Sequence, residues 1–593
     1  MKNTLLLCLF FFSVISCTGN RSAKFCNTYQ EAADPDSAVQ DWSRLKGLQV
    51  SFGDIDTRYA KSRIPDISPI HNWEGSGWRG ETVSAQVLLW SATDIHQVEC
   101  EFSDFKSAEG FKLESSVAQA RFVRYVLTDI FKPGCGYRKP EDFPVSLVAD
   151  GLDNMECFDL QAETVLPVWV TFNIPADAQP GLYHSRLRIY SRDNKAKELS
   201  VSLEVLPQTL PEPADWKFHL DLWQHPCAVA RVNNVKPWSE EHWSLLEIPM
   251  KMLADAGQKV ITATLNKDPW NVQTFDPYED MISWTLKKDG SWKYNYNIFD
   301  RWINLMMGLG INKQINCYSM VPWNNEIHYM DEKSGELVNV SVRPGTDEFN
   351  RIWSPFLLDF RDHMQQKGWL PITNIAMDER SPEDMKAAIG LLSDATPEFG
   401  IALADNHKSY KEYPMLKDIC LAFGETFDLS DLEFRKQNGL VSTWYVCCSD
   451  KFPNVFTFSD PAEAAYIGWY SMAAGFDGFL RWAYNSWTEN PLIDSRFRTW
   501  PAGDTYIIYP NGRSSIRFER LKEGIQDAEK IRILRKKFTA GSDFKRLELL
   551  ENTLRGFNIH RMPDQAPSEM LHRAKAVLVA LSREDVIEDI IFD

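Results

Sequence analysis

Two carboxyl side chains stand next to each other at Asp378-Glu379, closing the mostly apolar run Asn374-Ile375-Ala376-Met377. Adjacent carboxylates repel when both are ionised, so one keeps its proton beyond the usual range while its neighbour stays an anion. Cleavage of a glycosidic bond asks for that pair of states: a proton for the departing oxygen, and negative charge for an oxocarbenium-like transition state. The geometry is demanding. On a regular strand, successive side chains face opposite sides. The two converge only where the strand breaks, and Arg380-Ser381-Pro382 supplies a break. The competing reading is surface charge, with Glu379 or Ser381 near a helix N-terminus.

The elements that must position this pair follow from the hydropathy pattern of residues 211–514. Strand-like runs occur at Trp216–Trp223, Lys259–Leu265, Asn312–Met320, Pro371–Glu379, Gly400–Asp405, Ile419–Glu425, Ser442–Cys448 and Gly478–Tyr484. Helical spacing appears between many of them, at Glu240–Ala256, Ile298–Leu309, Asp347–Lys367, Pro382–Ala395 and Asp460–Ala474. A hairpin is expected over Met281–Tyr296, turning at Asp289-Gly290. Eight strands with intervening helices predict a (β/α)8 barrel of the TIM type. An open doubly wound sheet competes, but no GxGxxG follows an early strand.

In such a barrel, chemistry gathers at the C-terminal strand ends. The first strand delivers Asp221, Trp223 and His225 there, and the third delivers Tyr318 with Trp323 nearby. The fourth ends on Asp378-Glu379, the fifth on Asp405 and His407, and the sixth on Glu425. The seventh carries Trp444 and Tyr445, the eighth Arg481, Trp482, Tyr484 and Trp487. Asp221, Trp223, Tyr318, Asp405, Trp444, Tyr445, Arg481, Trp482, Tyr484 and Trp487 are therefore candidate substrate contacts. His225 and His407 read as structural or rim residues. Many aromatics, several carboxyls and few basic groups suit a neutral sugar better than a phosphate or nucleotide.

Residues 45–210 read as a β-sandwich, with alternating runs at Thr82–Trp90, Arg121–Leu127, Thr164–Ile174, Leu182–Tyr190 and Ser200–Leu206. Three prolines in Pro207–Pro213 mark the boundary with the barrel. Residues 515–593 read as C-terminal helices, the last helix of the barrel plus an appendage. In Ser515–Lys537, Glu519, Glu523 and Asp527 stand among Arg and Lys partners.

The N-terminus bounds the compartment. Lys2 precedes an apolar Leu5–Val14 run ending at Val14-Ile15-Ser16-Cys17, too short to span a bilayer and shaped like a signal peptide. A small residue before Cys17 resembles a bacterial lipobox. Residues 1–17 are thus expected to be a lipoprotein signal, Cys17 the lipidated residue, and residues 18–44 a tether. That predicts a cell-envelope lipoprotein touching the membrane only through its acyl chains.

The net charge of −18 argues against nucleic acid as a partner. Of the 11 cysteines, those beyond the signal region are scattered, with no CxxC pair and no metal-ligand spacing. They read chiefly as small buried hydrophobes, leaving room for a disulfide or two. Neither a metal nor a cofactor is expected.

Beyond these readings, the chain resembles glycoside hydrolase family 123, the β-N-acetylgalactosaminidases. The resemblance rests on Asn374–Glu379, on the aromatic strand Gly478–Asn485, and on the tail from Gly503-Asp504 through Tyr509-Pro510 to Ser515–Gly524. It implies retaining, substrate-assisted hydrolysis, in which the 2-acetamido oxygen of the sugar attacks C1. Asp378 would then hold the acetamido N–H and stabilise positive charge, and Glu379 would act as general acid and base, carrying the proton of the pair. Two readings compete. One is a retaining glycosidase with a separate carboxylate nucleophile such as Glu425. The other is a surface glycan-binding lipoprotein without catalysis.

Overall fold

The computed structural model describes residues 26, 29–36, 40–136, 138–192, 194–560 and 565–583. Cys17 and the expected signal segment lie outside the described residues.

Two sheets face each other in the N-terminal part. One runs in the order Gln49–Gly53, Thr82–Ser91, Thr164–Asn173, Ala118–Thr128, Ser146–Leu152. The other runs Asn72–Arg79, Lys197–Thr209, Gly181–Tyr190, Ile95–Phe102, Phe158–Leu160. Alternation builds the layer between them. Along Gly181–Tyr190, Tyr183, Ser185, Leu187 and Ile189 are buried while Leu182, His184, Arg186 and Arg188 face water. Val87, Leu89, Val168 and Phe172 meet Leu187, Val201 and Leu203 across the gap.

Eight parallel strands follow: β1 His219–Leu222, β2 Val260–Thr264, β3 Gln314–Tyr318, β4 Thr373–Asp378, β5 Gly400–Asp405, β6 Asp418–Leu421, β7 Val441–Tyr445 and β8 Gly478–Arg481. They pair in the order β1-β8-β7-β6-β5-β4-β3-β2. The β1/β2 edge is joined by Lys259 N–H donating to Leu220 O (3.0 Å) and by a parallel bridge from Leu220 to Gln258. The barrel is thus nearly closed, as the strand count requires. A four-stranded sheet (Ser283–Leu286, Trp292–Asn295, Glu326–Asp331, Glu336–Ser341) is inserted beside it. Its first hairpin turns at Gly290, where φ is +85°, a conformation suited to glycine.

The tail ties the two parts together. Ser514–Ser515 pairs with Gly151–Leu152 at the edge of the first sandwich sheet, and the helix Ile516–Ala540 packs on the barrel helix Pro461–Ala474. Their crossing is close. A Cβ on Gly468 would lie 2.1 Å from Gly524 O, and one on Gly524 would lie 2.4 Å from Ala465 O. The tail helix is also charged yet buried. Arg517 pairs with Asp150 (2.9 Å), Arg520 with Asp56 (2.8 Å), Glu519 with Arg121 (3.1 Å) and Lys530 with Glu81 (2.6 Å). The acids expected to pair along the helix do so, Glu519 with Lys522 (2.7 Å), Glu523 with Arg520 and Asp527 with Lys530 (2.8 Å), and each also reaches another element, Arg121 or Lys575.

Candidate active site

Strand β4 stops at Asp378, and Glu379 turns the chain with φ +47° while its N–H donates to Ala404 O of β5 (3.0 Å). A left-handed glutamate costs about 1–2 kcal/mol. The turn brings Asp378 and Glu379 to the same hollow, of about 130 Å³, at the C-terminal mouth of the barrel. The break expected at Arg380-Ser381-Pro382 therefore falls on Glu379 itself. Ser381 instead caps the next helix, accepting from Asp384 N–H (3.1 Å).

The two carboxyls are held from opposite sides. Asp378 Oδ2 accepts the indole N–H groups of Trp270 (3.1 Å) and Trp323 (3.0 Å). Arg380 donates to the Asp378 carbonyl (3.0 Å) and lays its guanidinium over Trp323, 4.3 Å from the ring centroid. Glu379 Oε1 accepts the Tyr445 hydroxyl from the end of β7. Burial pushes the Asp378 carboxyl up to about 7, with repulsion from Glu379 adding to it and the Trp323, Arg380 and Trp270 contacts drawing it back. The Asp378 carboxyl is thus raised by burial and by its like-charged neighbour, the effect expected of an adjacent pair.

An aromatic floor completes the hollow. Trp223 from the end of β1 packs on Trp270 (5.1 Å between centroids) and on Tyr318 (4.7 Å). Trp482, Trp500 and Gln273 line the far side, with Trp482 and Trp500 edge to face at 5.7 Å. Asp504 also lines it, held by Arg481 (2.8 Å) and by Trp482 Nε1–H (3.3 Å). Larger grooves, of about 700 and 770 Å³, lie on the sandwich, but neither gathers a carboxyl pair among indoles.

This arrangement, carboxyls and indoles at the mouth of a parallel barrel with a sandwich ahead of it, matches two family models. Residues 223–534 match the glycoside hydrolase 123 catalytic domain, and residues 52–191 match the glycoside hydrolase 123 N-terminal domain. The chain belongs to glycoside hydrolase family 123. A solved family 123 glycoside hydrolase from Clostridium perfringens, described in connection with glycolipid glycan hydrolysis, is 28% identical. It aligns over 90% of this chain and 97% of its own, with a TM-score of 0.82. A Bacteroides ovatus GH5 xyloglucanase aligns over 80% of this chain and all of its own at 9% identity, with a TM-score of only 0.28. No curated protein sequence matches.

Within this family 123 glycoside hydrolase, several of the expected sugar contacts lie elsewhere. Trp444 is next to Tyr445 on β7, so it faces outward. Its indole donates to Ser471 Oγ (2.8 Å) and packs on Tyr470 and Phe479. Arg481 is fully buried behind the wall, bonded to Asn454 (3.0 Å) and Asp504. The Tyr484 hydroxyl donates to Pro249 O (2.8 Å), and the Trp487 indole donates to Ile508 O (2.7 Å), both in the core. Asp405 turns back to accept from His407 N–H (2.9 Å) and the Ser409 hydroxyl (3.0 Å), fixing its own loop.

Asp221 is sealed inside the barrel, its carboxyl pushed well above the usual range by burial and by Asp418. Tyr318 supports the floor from beneath Trp223 and Trp270 and does not line the hollow. His225 caps the helix Pro226–Val232, and burial lowers it to about 4. Glu425 pairs with Lys408 (2.7 Å) and does not line the hollow.

Trp223, Tyr445 and Trp482 are the expected contacts that do line it, beside the carboxyl pair. Sequence reasoning passed over Trp270, Trp500 and Gln273, which sit on irregular loops. Asp268 holds the Trp270 loop by accepting two backbone N–H groups, from Trp270 and Val272 (3.0 Å each). An Asp two residues before a Trp, just past a strand end, is the only local signal.

Proposed function

We propose that this glycoside hydrolase is an exo-acting β-N-acetylgalactosaminidase that retains configuration through the substrate's own acetamido group. The observation that carries this reading is the opposed anchoring of Asp378 and Glu379 in one hollow, while Glu425 is paired elsewhere and Asp504 is committed to Arg481. The acetamido carbonyl oxygen attacks C1 as the C1–O bond to the leaving group breaks. Held in place, it acts at high effective molarity. Asp378 accepts the acetamido N–H and, as an anion, faces the positive charge of the oxazolinium intermediate. Glu379 gives a proton to the departing oxygen, then takes one from the water that attacks C1 from the vacated side, restoring the original configuration. Trp270 and Trp323 donate to Asp378 throughout and keep its oxygen aimed.

Substrates of this proposal are glycans and glycoconjugates ending in β-linked N-acetylgalactosamine. The Clostridium perfringens relative's link to glycolipid glycans favours glycolipids among them. We further propose an exported, lipid-anchored protein modified at Cys17. Two disulfides, Cys26–Cys157 and Cys135–Cys448, fit an oxidising compartment.

Aryl 2-acetamido-β-galactoside and its gluco epimer, assayed with and without a thiazoline mimic of the bicyclic intermediate, test the mechanism. Faster turnover of the galacto substrate and competitive thiazoline inhibition are expected. A trapped covalent glycosyl-enzyme with no thiazoline inhibition would overturn it. The kcat/KM profile against pH should carry an acid limb near pH 7 from Asp378.

A further inference from the structure

The pocket rim is not built by the barrel alone. Residues 129–136 leave the sandwich strand Ala118–Thr128 and reach the barrel mouth, with 138–143 following. Both ends of this loop are anchored. Ala502 N–H donates to Asp129 Oδ1 (3.1 Å), Arg138 pairs with Asp129 (2.9 Å), and Arg138 N–H donates to Arg498 O (2.5 Å). The tip between them is Gly134-Cys135-Gly136, with φ at +105° and +121° on the two glycines, and neither has an atom within 4 Å of where a Cβ would stand. Packing does not place this tip. A covalent bond does: Cys135 is joined to Cys448, across 313 residues of sequence.

Both half-cystines line the hollow, and the side they close is set by the chain. Cys448 lies three residues past Tyr445, the residue that holds Glu379. Asp378 is held from the other side, by Trp270 and Trp323. The proton donor of the proposed reaction therefore faces the stapled loop, and the acetamido group faces away from it. Trp482, Trp500 and Gln273 complete this wall, with Trp500 Nε1–H donating to the Gln273 carbonyl (3.0 Å). Apart from Asp504, which is paired with Arg481 and accepts from Trp482, these wall side chains are uncharged. They offer indole faces and an amide, which suit the C–H face and hydroxyls of a neutral pyranose.

We propose that the Cys135–Cys448 staple and the Trp482–Trp500 pair form the subsite for the leaving sugar, so that a loop of the N-terminal sandwich takes part in choosing what the terminal residue is cut from. This rests on the acid/base role given to Glu379 above. The test compares kcat/KM for a 2-acetamido-β-galactosyl oligosaccharide with a neutral galactose at the leaving position against kcat/KM for the 4-nitrophenyl glycoside, in wild type, Cys135→Ala and Trp500→Ala. The oligosaccharide-to-aryl ratio should fall about tenfold in each variant, because one lost sugar contact is worth about that much. Trp500→Ala keeps the staple, so it reads the subsite even if Cys135→Ala folds poorly. A ratio within twofold of wild type in both variants overturns the subsite while leaving the functional reading standing. So does an equal loss on both substrates, which would mean that the staple only supports Tyr445. A wild-type enzyme that cleaves neither substrate overturns the functional reading, and the subsite with it.

Discussion

Buried carboxylates meet opposite fates in two regions of this molecule. In the seam between sandwich and barrel, burial raises Glu519, but Arg121 and Lys522 outweigh it and hold its carboxyl at about 2. Asp150, fully buried between Arg517 and Arg58, is likewise held below its ordinary range. At the barrel mouth, Asp378 is also buried, yet it meets two neutral indoles and a second carboxyl, and it is raised to about 7. The seam matches each acid with a cation. The site gives Asp378 only Arg380, which donates to its backbone carbonyl and not to its carboxylate, and stays chemically responsive, as expected where charge must respond to a reaction.

The largest effect should come from Glu379→Gln. A loss in kcat of roughly a thousandfold, about 4 kcal/mol, is expected on an oligosaccharide substrate, with a melting temperature close to wild type by calorimetry. If folding suffers as much as turnover, the site and the seam do not differ in kind. Next is the seam itself. Arg517→Ala strands Asp150 without its main partner and should cost roughly 3–5 kcal/mol in urea denaturation, while the folded fraction keeps its specific activity.

The third prediction uses pH to separate the regions. Asp378 keeps a proton in the folded state that the unfolded chain has already released. Its favourable contribution is therefore complete below about pH 4 and is lost as pH rises through about 7. Asp378→Asn should consequently stabilise the enzyme by about 3 kcal/mol at pH 8 and by little at pH 4, even as it slows turnover. Glu519 has the opposite sign, its contribution present above about 4.5 and lost as pH falls towards 2. If Asp378→Asn stabilises equally at both pH values, burial alone does not hold the proton there. The smallest effect is that of Tyr445→Phe, which frees one oxygen of Glu379 and should lower kcat/KM about tenfold with little change in stability.

Much of this was legible in the residues. The helices Asp347–Lys367 and Pro382–Ala395 begin and end where their caps, Thr346 and Ser381, and the following Gly368 put them. The barrel strands announced themselves as short buried runs between turns. Two kinds of feature stayed hidden. The hairpin Glu326–Asp331 and Glu336–Ser341 is polar or half-exposed along most of its length, so no alternation marks it. Strand-end arithmetic also overcounted the site, because neighbours such as Trp444 and Tyr445 cannot both face inward. It undercounted the loops, which deliver Trp270 and Trp500 from positions that no periodicity describes.

The tail helix also sets an order on biosynthesis. Asp56 and Glu81 emerge early from the ribosome, but the cations that neutralise them, Arg520 and Lys530, are translated more than 440 residues later. At about 5–20 residues per second, that is a delay of roughly 20–90 s. Through that interval these two acids of the nascent sandwich lack their cations, so truncations that stop before the tail should yield less soluble protein.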